Sequence, residues 1–61
     1  MFKKGDLVKH VVWMAQLGIV VDPEVKLFER QHGTMIEVAW LTGDPVRQAR
    51  HVKAVALEKV I

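Results

Sequence analysis

Arg47, Gln48, Arg50, His51 and Lys53 fall close together, and no carboxylate interrupts the chain between Asp44 and Glu58. Cations at this spacing on one strand face could contact successive phosphates, with Gln48 adding a polar contact. That would be salt-dependent, sequence-independent nucleic-acid binding. The plain alternative is a solvated strand whose charges keep the protein dispersed. Base stacking would also need exposed aromatic rings. The candidates are Trp13, Phe28 and Trp40, and tyrosine is absent.

A second set of residues suits protein contact. Val11, Val12, Trp13 and Met14 form an apolar run in the expected connection between the first two strands. Exposed connections usually carry polar residues, so an apolar one either packs inward or offers a contact surface. Tryptophan and methionine are enriched at interfaces. Phe28 lies among charges with Val25 and Leu27. It either folds back over one barrel mouth or joins Trp13 in one patch. Val12, Trp13, Met14 and Phe28 are therefore the candidate partner-binding residues, for another protein or for a second copy of the chain.

Catalytic chemistry finds little to work with. The chain has no serine and no cysteine, which removes the commonest covalent nucleophiles. Thr34 and Thr42 fall in turns with no evident base. Glu37 and Glu58 could meet only if their strands were brought together. No glycine-rich phosphate loop occurs. Without cysteine there are neither disulfides nor thiolate metal sites. His10, His32 and His51 are widely spaced and read as surface or loop residues. The expectation is a protein that is not an enzyme, with no cofactor and no metal.

Five short β-segments must position these residues. Lys3 to Asp6 reads as a turn, and Leu7 to Val12 as a strand rich in β-branched residues. Gly18 in the following strand context signals a bulge or a close backbone approach. Ile19 to Val21 continues until Asp22-Pro23, where proline cannot donate to a ladder. Asp22 to Gly33 is the longest connection, an irregular loop with room for one helical turn capped by Asp22. Thr34 to Trp40 alternates with period two: Ile36, Val38 and Trp40 share one face, Met35, Glu37 and Ala39 the other. Trp40 thus reads as core. Thr42 to Pro45 is turn chemistry. Val46 to Val52 reads as a fourth strand, although neither of its faces is apolar. Lys53 to Ala56 suits one tight turn, and Leu57 to Ile61 a closing strand. Five strands closing on themselves would leave no exposed sheet edge.

Sixty-one residues carrying 51% apolar side chains and a net charge of +2 define a single domain, residues 1–61. Such a chain buries only about 60% of its unfolded surface, so its core is thin and association would help it. The modest charge permits anionic partners without requiring them. No run approaches the ~18 apolar residues of a membrane span, and no apolar segment of signal-peptide type follows Lys3-Lys4. A soluble cytoplasmic protein is expected.

The chain resembles SH3-like small barrels, the group that includes KOW and Tudor modules. The resemblance rests on Gly5-Asp6-Leu7-Val8-Lys9, Gly18-Ile19-Val20-Val21, the hairpin from Val38 to Gly43, and Leu57-Glu58-Lys59-Val60, and it covers nearly the whole chain. It implies an all-β SH3-like barrel of five short strands with a short 3-10 turn before the last. Similar small proteins occur in bacteriophages and mobile gene cassettes, which implies an origin of that kind. The opening Gly-Asp-x-Val and the tail Ala56-Leu57-Glu58-Lys59-Val60 also resemble type II dihydrofolate reductases. Those enzymes draw their pore chemistry from a Val-Gln-Ile-Tyr segment ahead of the tail. Ala49-Arg50-His51-Val52 stands there instead, without the glutamine and tyrosine. What the resemblance implies is a binding or assembly module rather than the enzyme, because fold alone does not carry function.

Overall fold

Residues 2–25 and 34–60 are described in the computed structural model of the chain. Leu27, Phe28, His32 and most of the long loop, for which one helical turn is expected, lie outside the described residues. The described chain is all-β, with strands β1 (Leu7–His10), β2 (Leu17–Asp22), β3 (Met35–Trp40), β4 (His51–Lys53) and β5 (Leu57–Lys59). They form one antiparallel sheet in the order β4-β3-β2-β1-β5. A 3-10 turn over Ala54–Ala56 precedes the last strand, as expected.

Period-two alternation builds the core. Val8, Val20, Ile36, Val38, Val52 and Leu57 form its buried cluster, and Phe2, Trp40, Ala54 and Ala56 pack against it partly buried. Each fully buried valine, isoleucine or leucine of that cluster contributes about 1.5–3 kcal/mol by leaving water. Gly18 marks a close approach, as its sequence position suggested. A Cβ there would lie 2.5 Å from Val38 Cγ1 and 2.9 Å from Trp40 Cε3. The register irregularity falls further on, between Val20 and Asp22. At the amino end, Asp6 Oδ2 accepts the Lys3 backbone N–H at 2.8 Å and stands 3.4 Å from Lys59 Nζ. Chiefly that N–H, with help from Lys59, holds the Asp6 carboxyl below its ordinary value against the opposing effect of burial.

Three expectations are corrected. β1 stops at His10 rather than Val12, because His10 Nδ1 accepts the N–H groups of Val12 and Trp13 and turns the chain. Val46 to Val52 is not one strand: Pro45–Arg47 is a 3-10 turn and only His51–Lys53 pairs with β3. Asp44 caps that turn by accepting the Val46 N–H at 3.0 Å, and Pro45 supplies a backbone angle already set for it. The sheet also does not close into a barrel. Among the described residues β4 and β5 pair only with β3 and β1, so both remain edges.

Candidate functional site

The β1–β2 and β3–β4 connections lie at the same end of the sheet and are tied together. Thr42 is the knot between them. Its Oγ1 donates to the Ala15 carbonyl at 2.6 Å and accepts the Leu17 N–H at 3.1 Å. The N–H groups of Leu41 and Thr42 donate to the Leu17 carbonyl at 2.7 and 3.3 Å. Gln16 adds a second tie. Its side chain is 1% exposed, and its Nε2 donates to the Arg47 carbonyl at 2.8 Å. Its Oε1 is buried with no hydrogen-bond partner among the described residues. Gly43 closes over it at φ +102°, and a Cβ there would collide with the Gln16 side chain.

On this frame sits a three-member stack. The rings of His10 and Trp13 lie 4.3 Å apart, inclined by 28°. The guanidinium carbon of Arg47 lies 4.8 Å from the Trp13 ring, within cation–π range. Because His10 Nδ1 accepts two backbone N–H groups, the proton of its neutral ring belongs on Nε2. His10, expected as a surface or loop residue, is buried at the end of β1 and organises the connection that follows it.

Large apolar side chains face solvent here. Val12 is 70% exposed, Met14 61% and Trp13 37%. The β3–β4 connection adds Leu41 at 62% and Val46 at 91%. Val12, Trp13 and Met14 therefore stand together as the sequence suggested, whereas Phe28 lies outside the described residues.

The basic residues are not gathered on one strand face. Arg47 belongs to the 3-10 turn and leans on Trp13. Gln48 Nε2 donates to the Thr42 carbonyl at 3.3 Å. Arg50 Nε pairs with Glu37 at 3.2 Å. Only His51 and Lys53 lie on β4. Glu37 and Glu58 are kept apart, since β2 and β1 lie between their strands. No group of three or more histidine, cysteine or acidic side chains among the described residues could hold a metal ion. At the opposite end of the sheet, Phe2, Pro23, Thr34, Ile36 and Ala54 line an apolar pocket of about 330 Å³.

Sequence reasoning missed the contributions of His10, Gln16, Thr42 and Val46. The Asp44-Pro45 pair was the available signal for the turn that exposes Val46 and positions Arg47. Nothing local marks His10 or Gln16, because their partners are set by the fold. No protein-family model, curated protein or solved structure matches the chain.

Proposed function

We propose that this chain is a small protein-binding module of SH3-like kind, acting without catalysis through the Val12–Met14 end of its sheet. The strand order and the 3-10 turn before β5 support the SH3-like reading. The observation that carries the functional reading is the exposure of Val12, Trp13, Met14, Leu41 and Val46 on connections pinned by Thr42 and Gln16. Exposed apolar groups on mobile chain lose entropy when they bind. Groups already fixed lose less, and so bind better. Tryptophan and arginine are also the side chains that dominate interface energies.

The alternative, nucleic-acid binding, has weaker support. Arg50 is neutralised by Glu37 and Gln48 is turned to a carbonyl, which leaves few cations along one path. The Trp13 ring already stacks with His10 and holds Arg47, so a base would have to compete with those contacts.

The test is an amide NMR titration of labelled protein with a random-sequence peptide pool and, separately, a mixed-sequence oligonucleotide at low and high salt. Peptides are expected to shift the Val12–Met14 and Arg47 resonances. Trp13→Ala should lose those shifts while keeping the spectrum of a folded protein. Peptide silence, with oligonucleotide shifts at Arg47 to Lys53 that vanish in high salt, would replace this reading with the alternative.

A further inference from the structure

We propose that the partner at the Trp13 end is a segment of another protein that joins a large apolar side chain to a carboxylate, the carboxylate pairing with Arg47. This rests on the protein-binding reading and adds the chemistry of the partner. Among the described residues, no carboxylate bridges Arg47; its contact is with the Trp13 ring. A guanidinium resting on a ring uses one of its faces. Its N–H donors, which point outward in its plane, stay available for a planar oxyanion. The indole also restrains the long arginine chain, so pairing costs less side-chain entropy than at an unsupported arginine.

Charge complementarity selects the occupant. Asp44 is the acidic residue in the β3–β4 connection, and its Oδ1 is committed to the Val46 N–H. Glu37 is committed to Arg50. The end therefore presents, beside Val12, Trp13, Met14 and Val46, a cation that forms no ion pair with any carboxylate among the described residues, Asp44 included. An apolar segment bearing an acid satisfies both the exposed apolar side chains and the cation.

Three soluble peptide pools of equal length test this. Each carries Leu or Phe at two positions, and one further fixed position holds Glu, Gln or Lys. The glutamate pool is expected to bind about tenfold more tightly than the other two, the ratio typical of a charge-assisted hydrogen bond at a partly dry site. Arg47→Gln should erase that preference while leaving residual binding, and Trp13→Ala should remove binding by all three pools. Dispersed amide spectra would show that both variants fold. Equal affinity for the glutamate and glutamine pools would overturn the acidic partner but leave protein binding standing. Silence from all pools would overturn both readings. Sedimentation showing a dimer that Trp13→Ala dissociates would make a second copy the occupant and overturn the proposal. Binding of oligothymidylate at Trp13, with the peptides silent, would do so in favour of nucleic acid.

Discussion

Gly18 and Asp6 show how far one residue can be read alone. A glycine within a β-branched run already implies that something passes close by, and Val38 and Trp40 do. Gly18→Ala forces a methyl against them and is expected to cost about 1–3 kcal/mol. Urea unfolding measures this, and an unshifted midpoint would mean the strands part at no cost. Asp6 carries a prediction in pH. Its folded carboxyl is held below the ordinary aspartate value of about 3.9. The stability it contributes is therefore present above that value and is lost as pH falls through the lower, folded value. Asp6→Asn should melt below wild type at neutral pH, and the two curves should converge in strong acid. A gap that stays constant with pH would assign the loss to something other than charge. His10 could not be read this way. That its Nδ1 accepts two N–H groups follows from where the chain turns, and no residue type announces it.

At the scale of elements, legibility followed alternation. β3 alternates cleanly and lies within one residue of its expected start. The span 46–52 alternated poorly, and there the expected strand dissolved into a 3-10 turn and three paired residues. Asp44-Pro45 held the missing information: a side-chain acceptor ahead of a residue with preset φ starts a helical turn more readily than it ends a hairpin. The candidate surface was half legible for a related reason. Val12 to Met14 are neighbours in sequence, but Arg47 reaches Trp13, and Val46 comes to the same end, only because two connections share one end of the sheet. Thr42 joins those connections through both roles of its hydroxyl. Thr42→Val keeps the shape and removes both bonds, leaving the Ala15 carbonyl and the Leu17 N–H unanswered. A loss of about 1–3 kcal/mol is expected, with faster hydrogen exchange at Leu17 and at the Val12 and Trp13 amides. Exchange rates equal to wild type at those sites would show that backbone bonds alone hold the connections.

For the whole molecule, the decisive quantity is how little lies in reserve. A chain of 61 residues commonly has about 3–9 kcal/mol of stability. Among the described residues, its core cluster has six buried side chains, inside a sheet that is not closed. Edges normally invite pairing with other chains, and here their shortness opposes it: β4 and β5 have three residues each. The remaining liability is exposed apolar area, and much of it lies on the two connections of the Trp13 end. Ile36 and Val46 separate the two uses of apolar side chains. Ile36 is 1% exposed at the centre of the core, and Ile36→Ala is expected to cost about 2–5 kcal/mol, enough to leave much of the protein unfolded near room temperature. Val46 is almost fully exposed, so Val46→Ala should leave stability within about 0.5 kcal/mol of wild type. The same substitution should weaken peptide binding measurably. Thermal melts and peptide titrations on both variants decide the matter. If Val46→Ala destabilises the fold, the apolar end is part of the core; if it leaves both melting and binding unchanged, Val46 lies outside the contact surface.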